Sequence, residues 1–220
     1  VSCSRSTLLH RLRADRRGVS AVEFALVLPL FIGLMGAGLE MANLMVTQMK
    51  VQRLATMTAD LVSQRGSSSD QISEVQIYDI LSALDVSASP LNVRSRGRVI
   101  ISAVVGEDTD NNGTADVNRI KWQRFDGGFT GATIQLGCWS TSTSTTLKNA
   151  RQLTVGEALF HAQVSYQYVP LFSQALVQWF AVPTEITRTA AFRGRGSIYR
   201  PVLTVENYPA KQNCTSATGL

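Results

Sequence analysis

Of the 220 residues in this 23.9 kDa chain, 45% are hydrophobic and 17% charged, which allows one compact domain with an appendage and excludes several large domains. The formal charge is +5, but residues 1 to 18 supply +4 of it, five arginines against Asp15, leaving only +1 for the remainder. A basic charge confined to a short leader is not the footprint of a nucleic-acid-binding domain, which lines a folded face, so no nucleic-acid partner is expected.

The first structural signal follows that basic leader. Phe24 to Leu39 is a run of sixteen uncharged residues, and the twenty-eight from Val19 to Val46 are interrupted by acids only at Glu23 and Glu40. At about 1.5 Å per residue, the roughly twenty residues that cross a bilayer are present. The arginine-rich side should stay in the cytoplasm, and the rest of the chain should lie beyond the membrane. A secretory signal peptide also has a basic start and an apolar run, but it needs a small-x-small site afterwards, for which Gly36-Ala37-Gly38 is a poor substitute. A plain single-pass anchor fits the length, yet it gives no reason for Glu23 just past the basic-to-apolar boundary. An acid inside a membrane segment is costly and points to function.

The string Arg17-Gly18-Val19-Ser20-Ala21-Val22-Glu23-Phe24-Ala25-Leu26-Val27-Leu28-Pro29-Leu30 resembles the processing site and helix of TadE-like pseudopilins. These belong to the tight-adherence branch of the type IV pilus and type II secretion superfamily. The resemblance implies cleavage after Gly18 by a prepilin peptidase, an aspartyl membrane protease, on the cytoplasmic side. The mature chain would begin at Val19, with Glu23 and the aromatic Phe24 as assembly residues. It further implies a non-enzymatic minor pilin or pseudopilin that helps initiate or cap a pilus used in surface attachment. Major pilins of this branch are very short, so the large head argues against the bulk subunit. The implied partners are the prepilin peptidase, other pilins and pseudopilins, the inner-membrane assembly platform and membrane lipid. The implied location is the bacterial inner membrane with the head in the periplasm, followed by entry into an extracellular pilus. The competing reading is a single-pass membrane-anchored periplasmic enzyme or ligand-binding domain.

Elementary electrostatics gives that pattern a purpose. Cleavage would create an α-ammonium at Val19, a cation expensive to bury without an anion nearby. In a staggered array of helices, Glu23 of one subunit would neutralise the amino terminus of its neighbour and so set register. Pro29 should bend or loosen the helix, whereas Gly33, Gly36 and Gly38 suit either close helix approach or ordinary membrane-helix composition.

Beyond Leu39 the pattern turns amphipathic, with Met41, Leu44, Met45, Met49, Leu54, Met57, Leu61 and Val62 at helical spacings. One helix from Ser20 to Arg65 is expected, ended by Gly66-Ser67-Ser68-Ser69. Its methionines read as packing on a head more readily than as a metal or redox set. A second helix is expected over residues 70 to 84, with Ile72, Val75, Ile77, Ile80, Leu81 and Leu84 as its apolar set. Strands are expected at 98–105, at 118–125 with Ile120, Trp122 and Arg124 on one face, at 158–168 and at 185–192. A short helix over 171–180 should lie between Pro170 and Pro183. The sum is an α+β, pilin-like plan: a long N-terminal hydrophobic helix, transmembrane and then an amphipathic stalk, followed by a small antiparallel β-sheet domain. Its divisions are a cleaved cytoplasmic leader at 1–18, the spanning and stalk helix at 19–65, and an extracytoplasmic head at 66–220.

Within the head, Asp108, Asp110, Asn112, Gly113 and Asp116 match positions 1, 3, 5, 6 and 9 of a calcium loop. Arg119 stands where the bidentate glutamate belongs, so the same residues also read as a solvated Asn-Gly turn, and no other cofactor is indicated. Removal of the leader takes Cys3 with it. Cys138 and Cys214 remain, which suits one disulfide in an oxidising compartment or two unrelated thiols in a reducing one. His161 is the single histidine after Gly18, in a strand context without a Gly-x-Ser-x-Gly elbow, so no catalytic residue is assigned. Ser140 to Thr146 reads as an exposed Ser/Thr loop, with glycosylation or adhesion as the functional alternative. Trp139 and Trp179 read as core aromatics or as exposed recognition residues.

Overall fold

The computed structural model describes residues 18–65, 71–139, 144–172, 182–195 and 199–220. It comprises two compact units, Val1–Asn43 with Pro170–Ala181, and Leu44–Val169 with Val182–Leu220. The division falls inside the first helix, α1 (Val19–Arg65), which continues without interruption through Pro29. The Gly-Ser terminator expected after it lies outside the described residues.

In the second unit, α1 from Leu44 onward packs on a four-stranded antiparallel sheet, and the architecture is α+β and pilin-like. Leu44, Val51, Leu54, Ala55 and Val62 lie in one cluster with Ile77, Ile80, Leu81 and Leu84 of α2 (Glu74–Ser87) and with Val99, Ile101, Trp122, Phe160 and Val164 of the sheet. Leu44, Val51, Ala55 and Val62 recur at seven, four and seven residues, with Leu54 three beyond Val51, which is one face of a 3.6-residue helix. Met45 and Met49 lie off that face and are 61% and 64% exposed, and Met41 is also exposed. The expectation that the methionines pack on the head therefore holds only for Met57. Met45 follows Leu44 by one residue, about 100° around the helix, and Met41 and Met49 continue its row.

Helix α2 begins later than the apolar pattern suggests. Ser73 accepts from the Gln76 backbone while the Gln76 side chain accepts from the Ser73 backbone, a reciprocal cap that fixes the start at Glu74. Ile72, counted as helical, is instead buried beside a short bridge from Ser73 to Leu203. A short helix α3 (Val93–Arg96) leads into β1 (Gly97–Glu107), followed by β2 (Val117–Asp126), β3 (Ala158–Gln167) and β4 (Glu185–Arg193), in spatial order β2-β1-β3-β4.

The pairing of β1 with β2 shifts register between Ala103 and Val104: Ala103 faces Trp122, but Val104 faces Ile120. Lys121 is the extra residue of a bulge, and a bulge reverses which side later residues face. Ile120 therefore leaves the face of Trp122 and Arg124 and joins Val104, Leu136, Leu147, Leu153 and Leu159 on the opposite side. Simple alternation had placed all three together.

The long connection from β2 to β3 covers that opposite face, held by two buried glutamines. Gln123 donates to the Gly137 carbonyl at 3.0 Å and accepts from the Trp139 amide at 2.8 Å. Gln163 donates to the Thr133 carbonyl at 2.6 Å and accepts from the Gln135 amide at 2.9 Å. A side-chain amide offers one donor and one acceptor side, as a neighbouring strand does, so an irregular segment is buried without orphaning its backbone. Trp139 packs against this second cluster.

Candidate functional site at the start of helix α1

Gly18 immediately precedes α1, and its carbonyl accepts from the Val22 amide at 3.1 Å, closing the first turn. A Cβ added at Gly18 meets no described residue within 4 Å. Glu23 lies one turn beyond Val19 and shares its helix face. Val19, Glu23 and Phe24 are all exposed, and Glu23 forms no salt bridge with any described residue. Their neighbours Leu26, Leu30, Phe31, Ile32, Leu34 and Met35 each leave more than half of their surface uncovered. By length and composition this helix is able to cross a membrane. A bare apolar helix of this size has no stable place in water, so an apolar surrounding completes it. Gly33 and Gly38 face open space, whereas Gly36 is covered by Phe172.

The head's sites are different in kind. In the β1–β2 turn the Asp108 carboxylate accepts from the Asn112 amide at 3.1 Å and the Gly113 amide at 2.7 Å. Asp110 accepts from Asn112, and Asp116 accepts from the Thr109 amide at 3.0 Å. The Gly113 amide chiefly holds Asp108 below the ordinary carboxylate range, and the Thr109 side chain does the same for Asp116. Each carboxylate thus shapes the turn, with Asn111 and Gly113 at positive φ. Among the described residues no group of three or more His, Cys, Asp or Glu is gathered as for a metal ion. Arg119 instead pairs with Glu107, which Lys121 also contacts.

Cys138 and Cys214 form a disulfide with Cα atoms 6.1 Å apart. Arg98, buried in β1, donates to the carbonyls of Cys214 at 2.9 Å, Ser216 at 2.6 Å and Gly127 at 3.0 Å. Lys211 adds an ion pair with Asp126, so the tail is fastened by charge-assisted bonds as well as by sulfur.

Ser102 and His161 lie directly opposite each other on β1 and β3. Ser102 is fully buried, and its hydroxyl accepts from Gln123. Nδ1 of His161 has no hydrogen-bond partner among the described residues, and burial lowers the pKa of the ring to about 4. Among the described residues no carboxylate is hydrogen-bonded to the ring as the third member of a hydrolytic triad would be. A recess of about 660 Å³ opens beside His161, lined also by Leu136, Leu147, Lys148, Arg151 and Thr189. Trp179, most of the helix expected at 171–180, and Ser140 to Thr143 lie outside the described residues.

Sequence reasoning treated Glu40 only as an interruption of the apolar run. In the structure it is 3% exposed, and its Oε2 accepts from the backbone amides of Leu171 at 2.9 Å and Phe172 at 3.3 Å. The available signal was an acid four residues after Gly36 in otherwise uncharged sequence.

A family model spanning residues 18–60 matches the segment from Gly18 into the packed part of α1. The chain is TadE-like over residues 18–60. The TadE-like match ends within α1, so the sheet domain lies outside it. No curated protein and no solved structure matches the chain. The matched segment is the apolar part of α1 and its continuation, and its apolar helix is consistent with membrane anchoring.

Proposed function

We propose that the chain is a non-enzymatic minor pilin or pseudopilin that helps initiate or cap a tight-adherence pilus. A prepilin peptidase cleaves after Gly18, α1 holds the new Val19 terminus in the inner membrane, and the head folds in the periplasm. Assembly then brings Glu23 of one subunit to the amino terminus of another, alongside other pilins and the inner-membrane platform. One coincidence carries this reading: the TadE-like match covers an exposed apolar helix with an unobstructed glycine at its start and an acid one turn inside. The disulfide and the charge-fastened tail suit a head outside the reducing cytosol.

The recess beside His161 favours a second reading, a membrane-anchored ligand-binding domain. Amino-terminal sequencing of the protein from its native membrane separates the two. A mature terminus at Val19 supports the pilin, and an intact leader supports the anchor.

A further inference from the structure

The connection between β3 and β4 has an unusual composition. Leu171 to Val182 is twelve consecutive residues without a charge, nine of them apolar, including Trp179 and Phe180. Connections exposed to water are ordinarily polar. Its entry is fixed to α1 through Glu40, whose single oxygen Oε2 receives two successive backbone amides. The Phe172 ring lies over Gly36, where a Cβ would be 3.7 Å from ring Cζ. Gly36 and Glu40 are one turn apart, so the two contacts share a helix face.

Depth follows from the rise of the helix. With Val19 at the inner edge of the bilayer, Gly36 lies about 26 Å and Glu40 about 32 Å along α1, against a hydrocarbon thickness of about 30 Å. Phe172 is therefore level with the outer ends of the apolar layer, and Glu40 with the headgroups. Backbone amides at that depth need an acceptor, which Glu40 provides. Leu171 is 62% and Phe172 39% exposed, and Met35 and Leu39, each one residue before Gly36 and Glu40 on α1, are exposed as well.

We propose that the start of the β3–β4 connection is a second membrane contact, in which Leu171 and Phe172 bind the outer-leaflet interface beside α1. Lipid fits better than a protein partner because Leu171 and Phe172 carry no charge to select one and are fixed to the spanning helix through Glu40 and Gly36. This inference rests on α1 crossing the membrane.

The test uses the full chain with Cys3→Ser, reconstituted in phosphatidylcholine–phosphatidylglycerol vesicles. An environment-sensitive thiol probe is placed at Leu171→Cys, with Ile32→Cys in the spanning helix and Val155→Cys on the head as references. The expected result is blue-shifted emission at position 171, reduced about twofold by lipids brominated near the headgroup, with no quenching at 155. Water-like emission at 171 beside quenching at 32 overturns the proposal and leaves the spanning helix intact. Blue-shifted emission untouched by brominated lipid means that protein covers the patch, which also overturns it. Absence of quenching at both 32 and 171 removes the spanning helix and the proposal together. Non-reducing mass spectrometry for the Cys138–Cys214 crosslink verifies folding, and Phe172→Cys provides the same readout if Leu171→Cys does not fold.

Discussion

Residues 19–39 of α1 and residues 44–62 differ in what meets their apolar side chains. In the first stretch Leu26, Leu30, Ile32 and Met35 face outward on every side. In the second, Leu44, Val51, Leu54 and Val62 are buried against α2 and the sheet, while Met45 and Met49 remain outside. The later stretch is amphipathic and finds its partner within the chain. The earlier one is apolar all round, which suits a membrane or an array of like helices and no single flank of a domain. Substitutions should therefore affect localisation and assembly in the first stretch and folding stability in the second.

The largest expected effect is at the boundary. Gly18→Phe should abolish processing, and immunoblotting should show only the unprocessed, membrane-bound form. A Cβ at Gly18 meets no described residue within 4 Å, so the loss would be read as a failure to fit the peptidase. A mature-sized band would break the comparison at its start. Glu23→Ala should leave membrane fractionation unchanged or improved, since it removes an exposed acid from an apolar segment, while incorporation into pili falls severalfold. Pilus counts equal to wild type would remove the assembly role of Glu23.

In the head the effects become thermodynamic. Replacing both Cys138 and Cys214 with serine should lower stability by up to about 4.5 kcal/mol for a loop closed over a separation of 76 residues. Arg98 and Lys211 still hold the tail, so urea denaturation should find a smaller loss; no loss at all would show that they suffice. Leu54→Ala should cost about 2–5 kcal/mol and Met49→Ala under about 0.5 kcal/mol in the same measurement. Equal costs would mean that the packed face of α1 is misassigned.

The smallest effect is tied to pH. The His161 pKa falls from 6.5 to about 4 because burial disfavours the imidazolium. The unfolded chain then binds more protons than the folded one between those values, so stability is complete above about pH 6.5 and is lost as pH falls toward 4. The loss between pH 7 and 5 should be on the order of 2 kcal/mol. Denaturation curves at the two pH values should differ for the parent protein and much less for His161→Gln. An unchanged difference in the variant would assign it to other groups.

Much of this organisation is legible in the sequence because it is local. A run of uncharged residues, a 3.6-residue stripe and alternating strands around an Asp-Asn-Asn-Gly turn each need only near neighbours to be recognised. The features that escaped depend on pairing across the chain. The bulge at Lys121 exists only in the register of β2 against β1, so nothing within β2 reveals that Ile120 and Trp122 part company. Arg98 reads as an ordinary strand residue until the tail brings three carbonyls to it. Glu74 and Arg124, fifty residues apart, form a buried bidentate pair with Nε 3.0 Å from both carboxylate oxygens. Neither residue announces its partner. The boundary pattern from Gly18 to Phe24 was legible, whereas the position of Glu40 beneath Leu171 and Phe172 required the fold.

The disulfide also has a consequence in time. In the proposed topology the head crosses the membrane from its amino-terminal side, so Cys138 reaches the oxidising compartment 76 residues before Cys214. At translation-limited export, that interval is on the order of ten seconds. Besides Cys138 and Cys214 this sequence holds only Cys3, which in the proposed topology stays on the far side of the bilayer. Throughout the interval the early thiol has no wrong intramolecular partner, and its oxidation by small disulfides is reversible by exchange. When Cys214 emerges, only one internal pairing is available. The head therefore needs an oxidant to mature but has no mispaired isomer for an isomerase to correct.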